Sequence, residues 1–395
     1  MRQVDIAIAG GGLAGATAAA MLGRAGFSVA VVDPHPVYPP DFRSEKLSGP
    51  QFHLLRRTGL SDAVLRAATP MDELWIARFG RLVEQRPNDQ YGILYDVLVN
   101  AMRAELPAGA AFIPAKVSAV STGSDRQTLV LSTGEKICAR LVVLATGLNN
   151  GLRRMLGIAR AELSGCHSIS IGFDVAPAGR SGFDFPALTY YPERAADRIS
   201  YLTLFPIGAA MRANLFVYRE LRDPWLQGVR EAPRDTLFAA MPGLRKLLGD
   251  FDVVGDIKVR PVDLYATKGH RQAGAVLVGD AFATSCPAAG TGVNKVFTDV
   301  ERLCNVHIPR WFATPGMGAE KIAAFYDDPV KQACDSHSAA LAFYVRSLSV
   351  DAGILWQARR WGKFVAQSGI GTARRMRERL STGMPGRQGA AARSA

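Results

Sequence analysis

A glycine-rich loop near the N-terminus constrains the fold of this chain more than any other feature. Residues 10–15 read Gly-Gly-Gly-Leu-Ala-Gly and match the pattern G-x-G-x-x-G. The apolar residues 4–9 precede the loop, the alanine-rich residues 13–25 follow it, and the mostly β-branched residues 28–33 come next. This order predicts a strand, a helix and a second strand, which together form a βαβ unit of a parallel sheet.

Each glycine of the pattern has a separate task in such a unit. Gly10 permits a tight turn, Gly12 lets the backbone approach a pyrophosphate, and Gly15 allows the helix to pack closely on the strand. The N-terminus of the helix adds unpaired N–H groups and a partial positive charge. The loop therefore predicts a dinucleotide site whose phosphate contacts are Gly10, Gly12, Leu13, Ala14 and Gly15.

An acidic residue ends the second predicted strand. Asp33 lies about twenty residues beyond the first glycine, where the motif places a carboxylate that binds ribose hydroxyls. At ~4 Å and an effective dielectric constant of ~20, this carboxylate would repel a 2′-phosphate by about 4 kcal/mol. We therefore predict that the site binds an adenine dinucleotide and disfavours NADP.

A second loop, near residue 280, narrows the choice of dinucleotide. Residues 276–281 predict a buried strand that ends in Gly279-Asp280, and residues 287–294 read Pro-Ala-Ala-Gly-Thr-Gly-Val-Asn at the start of a helix. The acid can hold a ribitol hydroxyl, and the helix N-terminus can stabilise negative charge on a reduced isoalloxazine ring. The predicted flavin contacts in this loop are Asp280, Pro287, Gly290, Thr291, Gly292, Val293 and Asn294.

These two loops resemble those of the class A flavoprotein monooxygenases, the aromatic hydroxylases of the p-hydroxybenzoate hydroxylase fold, which include ubiquinone-pathway hydroxylases. The resemblance covers roughly residues 1–330. Arg43 resembles an arginine of the family that contacts FAD, Val117 a position whose backbone meets the adenine, and Gly147 the glycine of the family's D-G motif. The resemblance implies that FAD is bound without a covalent link.

The resemblance also implies a reaction. A class A monooxygenase takes a hydride from NAD(P)H, adds O2 at flavin C4a and transfers the distal oxygen of the hydroperoxide to an aromatic or other electron-rich small molecule. The protein excludes water and positions the substrate, so no catalytic triad or carboxylate pair is expected. Candidates for the substrate pocket are Tyr190, Tyr191, Tyr201, Phe205, Pro206 and Arg212. Aromatic residues that alternate along a sheet also serve as cross-strand packing, and this alternative stays open.

Two positions depart from the family pattern. Thr146 stands where the D-G motif has Asp, a residue linked in the family to FAD and NAD(P)H binding, and Ala283 stands where many aromatic hydroxylases have His. A flavoprotein reductase or oxidase, a flavin halogenase and a flavin-binding module without turnover therefore remain alternatives. The sequence lacks the W-x-W-x-I-P motif of flavin halogenases.

The pattern along the chain predicts an α/β fold: a Rossmann-like FAD-binding domain with three layers, an inserted antiparallel sheet that carries the substrate site, and a helical C-terminus. The predicted division is 1–72, 101–165 and 271–330 for the FAD-binding domain, 73–100 and 166–270 for the inserted sheet, 331–380 for the C-terminal helices, and 381–395 for a disordered tail.

Composition excludes some classes of function and leaves others open. The formal charge of +12 suits an anionic cofactor. It would also suit an acidic membrane surface, so peripheral membrane contact stays open, whereas we predict no nucleic-acid partner. No apolar run is long enough for a membrane span, and we expect a cytoplasmic location. The scattered Cys and His residues predict no metal site and no disulfide framework, and the oligomeric state is left open.

Overall fold

The computed structural model of the protein describes residues 1–382, and within them the strands form two sheets. The strands are β1 (Arg2–Ala9), β2 (Val29–Asp33), β3 (Lys46–Leu47), β4 (Thr69–Arg78), β5 (Arg81–Gly92), β6 (Ala110–Pro114), β7 (Val117–Ser121), β8 (Gln127–Leu131), β9 (Lys136–Leu144), β10 (Ala159–Pro177), β11 (Leu188–Tyr191), β12 (Ile199–Ile207), β13 (Ala210–Val217), β14 (Phe251–Lys268) and β15 (Ala275–Leu277). The predicted tail lies, from residue 383 onward, outside the described residues.

Helices connect and cover the two sheets. They are α1 (Leu13–Arg24), α2 (Gly49–Arg57), α3 (Ser61–Leu65), α4 (Tyr95–Ala104), α5 (Gly151–Met155), α6 (Pro224–Glu231), α7 (Pro233–Ala240), α8 (Leu244–Leu248), α9 (Gly292–Arg302), α10 (Ile308–Phe312), α11 (Ala319–Tyr326), α12 (Pro329–Val350) and α13 (Ile354–Thr382). A π-helical turn, Leu303–His307, joins α9 to α10.

The first sheet is built around the predicted βαβ unit. Its strand order is β6-β2-β1-β9-β8-β7, and β15 pairs with β9. β1 runs parallel to both neighbours, so that Ala7 lies opposite Ala30 on one side and Val142 on the other. The last four residues of β1 are buried, as expected for a parallel strand covered on both faces.

Each face of the first sheet has its own hydrophobic core. On one face Ile8, Val31 and Val276 pack against residues of α1, α9, α10 and α11. On the other face Ala9 and Leu144 pack against β8 and α5. The Rossmann-like domain with three layers is thus confirmed.

The second sheet has the order β14-β10-β13-β12-β11-β4-β5-β3. Most neighbours are antiparallel, as predicted, but β4 runs parallel to β11. Parallel neighbours need a long connection, and residues 79–187, which include β5 to β10, join these two strands. The core on one face contains residues of α6, α7 and α8, such as Leu226, Leu237 and Leu244. The opposite face is turned toward the first domain, because Tyr201 on β12 contacts Ala288.

The strands do not all follow the predicted domain limits. β3, the beginning of β4 and the beginning of β10 belong to the second sheet, although the sequence placed their residues in the FAD-binding domain. Conversely, α4 packs against α1 in the first domain, although its first half was assigned to the inserted sheet. The domain limits therefore stay a prediction.

The predicted helical C-terminus is confirmed. α12 packs against α9 and β12, and α13 packs against β5. Among residues 1–382 no single helix is long and apolar enough to cross a membrane. α12 and residues 354–374 of α13 pass that test of length and composition only as a pair, and the two are bent by 96°.

Candidate functional site

The carboxyl ends of β1, β2, β9 and β15 meet at one edge of the first sheet and open onto a cavity of about 500 Å³. Ligands of open parallel sheets bind at this edge. The residues that line the cavity include Gly10, Gly12, Leu13, Ala14, Asp33, Arg43, Val117, Gly147 and Asp280. The structure thus brings together predicted cofactor contacts that lie far apart in the chain.

The glycine loop forms one wall of this cavity. Gly10 has φ +102°, and a Cβ there would lie 2.4 Å from the carbonyl oxygen of Ala145. A Cβ on Gly15 would lie 1.9 Å from the carbonyl oxygen of Gly10, so this glycine packs the helix on the loop. Gly12 faces open space, because a Cβ there would meet only a ring carbon of Tyr38 at 3.9 Å.

The carboxylate of Asp33 is buried and fixed at the end of β2. It accepts hydrogen bonds from the backbone N–H groups of Gly11 (2.8 Å) and His35 (3.0 Å). The Arg103 guanidinium lies 3.3 Å from it and also donates to the Gly11 carbonyl at 2.7 Å. Arg103 was not predicted from the sequence, where its only signal was a charged residue beside the apolar Met102 on α4.

Arg43 joins the two motifs that the sequence singled out. Its guanidinium donates to the carboxylates of Asp280 (3.1 Å) and Asp41 (2.6 Å). Arg260 donates to the other oxygen of Asp41 at 2.7 Å. Burial alone would raise the pKa of Asp41, but the two guanidinium groups outweigh it and hold that pKa below its ordinary value.

The segment at the position of the family's D-G motif, where Thr146 replaces the acid, also lines the cavity. Thr146 donates its hydroxyl to the carbonyl oxygen of Asn149 at 3.0 Å, and Gly147 has φ +57°. Thr146, Gly147 and Asn149 all belong to the cavity wall. The position where the family has an acid therefore carries a neutral hydroxyl that already bonds to its own loop.

The loop of residues 287–294 lies outside the residues that line the cavity. It forms a 3₁₀ turn at Pro287–Ala289, followed by Gly290 with φ +68° and the start of α9. The side chain of Gln51 holds the loop by donating to the Gly290 carbonyl (2.8 Å) and to Asn294 Oδ1 (3.0 Å). The sequence analysis did not identify Gln51 as a partner of this loop. The other predicted contacts in the loop are Thr291, which pairs with the Ser338 hydroxyl at 2.6 Å, Gly292, and Val293, which is buried.

A buried network of ion pairs, formed by residues of α9 and α12, contacts the Gly279-Asp280 loop. Gly279, with φ +58°, donates its N–H to Asp299 at 2.9 Å. The ammonium group of Lys331 on α12 lies 2.7 Å from Asp299 and 3.0 Å from Asp335, and Lys331 and Asp299 are each 1% exposed. Lys295 also pairs with Asp335. The position of the loop therefore depends on a helix that follows it in the chain.

The predicted substrate residues divide between the two faces of the second sheet. Tyr201, Phe205 and Arg212 lie on the face turned toward the first domain, and the Tyr201 hydroxyl donates to the Ala288 carbonyl at 2.9 Å. Tyr190 packs in the core on the opposite face and donates to Glu193. We therefore correct its assignment from substrate contact to core residue.

The other two candidates for the substrate pocket, Tyr191 and Pro206, lie close to the face of the second sheet that is turned toward the first domain. Tyr191 lies beneath the Arg78 guanidinium, 3.6 Å from the ring centroid. The carbonyl oxygen of Pro206 approaches Gly92, where a Cβ would lie 2.2 Å from it. The Tyr191 ring thus has a cationic partner within the protein, and the Pro206 backbone packs against β5.

Two carboxylates that were not predicted from the sequence lie beside Arg212. Its Nε is 3.3 Å from Glu45 and 3.2 Å from Asp174. The side-chain amide of Asn214 donates to the same Glu45 oxygen at 3.1 Å. Burial raises the pKa of Glu45 to about 7, although the neighbouring guanidinium opposes the change. Next to it, burial and the charge of Arg86 lower the pKa of Lys46 to about 8.

Comparison with known proteins decides the family. The sequence profile of the FAD binding domain family matches residues 3–306. The chain belongs to this family. FAD is therefore its cofactor, and the protein is an FAD-dependent oxidoreductase of the monooxygenase class.

This FAD-binding protein is similar to enzymes of that class and to solved structures of flavin-dependent enzymes with the same fold. 3-Demethoxyubiquinol 3-hydroxylase of Escherichia coli (strain K12) is 28% identical over 336 residues, which cover 77% of this chain and 80% of that protein. The crystal structure of p-nitrophenol 4-monooxygenase from Pseudomonas putida DLL-E4 matches with a TM-score of 0.74 and 16% identity, over 97% of this chain and 98% of that one. A flavin-dependent brominase matches with a TM-score of 0.69 and 15% identity, over 93% and 94%. These two structures show the fold alone.

The cavity of this FAD-binding protein fits an adenine dinucleotide with a flavin. Gly12 leaves space where a side chain would enter the cavity, and the first N–H groups of α1 have no side-chain cap. Asp33 and Asp280 place two carboxylates on the cavity wall, and Arg43, paired with Asp280, adds a cation. Among residues 1–382, no group of three or more His, Cys, Asp or Glu residues could hold a metal ion.

Proposed function

We propose that the protein hydroxylates an aromatic or other electron-rich small molecule, with NAD(P)H as electron donor and O2 as co-substrate. The observation that carries this proposal is the contact between Tyr201 and Ala288, which brings the second sheet against the loop that follows Asp280. A sheet in that position can cover the flavin ring of a bound cofactor. When FAD is bound, it would supply the redox chemistry, which is acceptance of the hydride from NAD(P)H and activation of O2.

We propose that the cavity residues hold FAD through backbone and carboxylate contacts. Gly12 and the first turn of α1 would bind the pyrophosphate, Asp33 the ribose, and Asp280 the ribitol chain. Arg43 would neutralise the phosphates while it stays paired with Asp41. Val117 lines the same cavity, and its backbone would contact the adenine.

On the substrate side, Glu45 is the group that we propose to exchange a proton with the substrate. A carboxyl group with a pKa of about 7 can take up or release a proton at neutral pH. Arg212 and Asn214 both contact the same carboxylate oxygen and fix its orientation. Phe205 lies opposite Arg212 in the sheet and belongs to an apolar cluster with Phe364 of α13. This cluster would limit the access of water to Arg212 and its partner Glu45.

The test is to mix the FAD-loaded protein with NADH or NADPH in air, with and without a panel of phenols. We expect the flavin absorbance to bleach on reduction and a hydroxylated product to accumulate with its matching phenol. Failure of both donors to bleach the flavin would contradict the proposal. Bleaching without any product would favour a reductase or an oxidase, and a halogenated product after addition of halide would favour a halogenase.

Thr146 offers a second test of the same proposal. If an acid at this position assists reduction by NAD(P)H, Thr146→Asp should accelerate flavin bleaching by a nicotinamide donor while the FAD content stays the same. The conservative variant Thr146→Ser retains the hydroxyl that bonds to Asn149, and it serves as the control. Equal bleaching rates in all three proteins would show that reduction does not depend on this position.

A further inference from the structure

Large exposed apolar side chains are concentrated on α13. Ile354 is 87% exposed, Val365 64%, Met376 60% and Trp361 58%. These four positions are separated by whole numbers of helical turns, so they form one stripe along the helix. Leu355, 61% exposed, borders it. We call these five residues the outer stripe of α13.

The other side of α13 is fixed to the second sheet. Gln367 accepts a hydrogen bond from Arg78, and Arg374 lies 3.4 Å from Glu84. A Cβ on Gly371 would lie 2.0 Å from the carbonyl oxygen of Val83, so the helix backbone touches β5 directly. Because these contacts hold the inner side, the outer stripe is exposed, although one side of the Trp361 ring packs against Phe79.

Cations accompany the outer stripe. The sequence of α13 contains seven Lys and Arg residues and one acid, Glu378. The Arg359 guanidinium lies 4.5 Å from the ring centroid of Trp356, and the Lys363 ammonium lies 5.0 Å from that of Tyr344. An apolar helix face with a tryptophan and flanking cations is typical of a helix that lies in the interface of a membrane.

The positive charge of α13 distinguishes between two possible partners of the outer stripe, a second copy of the chain and a lipid surface. A second copy of the chain, paired by a two-fold axis, would bring two equally cationic helices together. An anionic lipid surface complements the cations, and its acyl chains accept the outer stripe. We propose that α13 docks the protein on an anionic membrane surface, with the helix parallel to the bilayer and the outer stripe inserted.

The experiment uses the full-length, FAD-loaded protein and sedimentation with vesicles. One set of vesicles contains equal parts of phosphatidylglycerol and phosphatidylcholine, and the other contains phosphatidylcholine alone. We expect at least ~10-fold stronger partition into the anionic vesicles, because anionic lipids attract basic interfacial helices, and we expect high salt to weaken it.

The variant Ile354→Glu/Val365→Glu places two charges in the outer stripe and should lower partition into anionic vesicles by at least ~10-fold. The control, Leu163→Glu/Val254→Glu, changes two exposed apolar residues of the second sheet, 54% and 51% exposed, and should bind as the wild type does. Flavin absorbance and the thermal unfolding midpoint verify that both variants are folded.

Several outcomes would overturn the proposal. They are no binding of the wild type to either vesicle, equal binding to both, or equal binding of the stripe variant and the control. Light scattering tests the other occupant: a wild-type dimer that becomes a monomer only in the stripe variant would show that α13 binds a second copy. None of these results depends on the monooxygenase reaction, so docking and proposed function fail separately.

Discussion

The cofactor cavity and the substrate-facing side of the second sheet are built in different ways. In the cavity, the decisive contacts belong to the backbone: Gly10 and Gly15 leave no room for a Cβ, and Gly12 leaves room only for a ligand. On the sheet, the decisive contacts join side chains, as in the group of Glu45 and Arg212. A backbone site tolerates few residue types, whereas a side-chain site can change its chemistry by substitution. This difference explains how one fold can serve several substrates.

The largest loss of stability is expected at Lys331, where a side chain, and not the backbone, supports the Gly279-Asp280 loop through Asp299. Lys331→Met would leave Asp299 buried without its cation, and this should lower the free energy of unfolding by ~4 kcal/mol. The urea midpoint measures the loss, and the FAD content should fall with it. Arg271→Met, which breaks only an exposed pair with Asp327, should cost less than ~1 kcal/mol. Equal losses would contradict the importance of the network.

The second prediction concerns FAD affinity and tests the glycine loop of the cofactor cavity. Gly12→Val would fill the space next to α1 without meeting other protein atoms closely, so the fold should persist while FAD affinity falls ~100-fold, or about 3 kcal/mol. Titration of the apoprotein with FAD measures the change. Gly109→Val, where a Cβ would have no neighbour within 4 Å, is the control. Undiminished flavin binding by the Gly12 variant would mean that the loop does not hold the pyrophosphate.

The third effect concerns pH and tests the side-chain site. Because burial raises the pKa of Glu45 from about 4.5 to about 7, the folded protein holds this proton more tightly than the unfolded chain. The contribution to stability is therefore fully present below pH 4.5 and is lost as the pH rises through 7. Between pH 5.5 and pH 8 the loss should be ~2 kcal/mol relative to Glu45→Gln. Parallel urea curves of the two proteins at both pH values measure it, and identical pH dependence would rule out the raised pKa.

The smallest losses of stability are expected for two tyrosines on opposite faces of the second sheet. Tyr201→Phe and Tyr190→Phe each remove one hydroxyl that donates a hydrogen bond, to Ala288 and to Glu193 respectively. Each should lower the free energy of unfolding by ~1 kcal/mol. Only Tyr201→Phe should also alter the flavin absorption spectrum, because only that tyrosine contacts the loop after Asp280. A spectral change in the Tyr190 variant would place both tyrosines on the cofactor side.

The sequence predicted the cofactor half of the molecule well because its signals are local. The turn at Gly10, the helix after it and the acid at Asp33 lie within one short segment, and the family profile confirmed the cofactor that they indicate. Arg103, Glu45 and Lys331 could not be assigned in this way. Each has a partner in another element, and nothing in a single sequence specifies which partner folding will supply.

The faces of the second sheet were equally hard to assign. Ile199 and Tyr201 are two residues apart and would share a face in a regular strand. A register shift between them places Ile199 in the core under α6–α8 and Tyr201 on the side of the cofactor loop. Alternation alone cannot locate such an irregularity.

The ion network under Gly279 also bears on how the protein could be shortened. The family profile ends at residue 306, whereas the cation that neutralises Asp299 comes from Lys331 on α12. A fragment cut at the profile boundary would contain every glycine of both loops and would leave the carboxylate of Asp299, next to Gly279, without its cation. We therefore expect a truncated form of this chain to be stable only if it retains Lys331 on α12, beyond the end of the family profile.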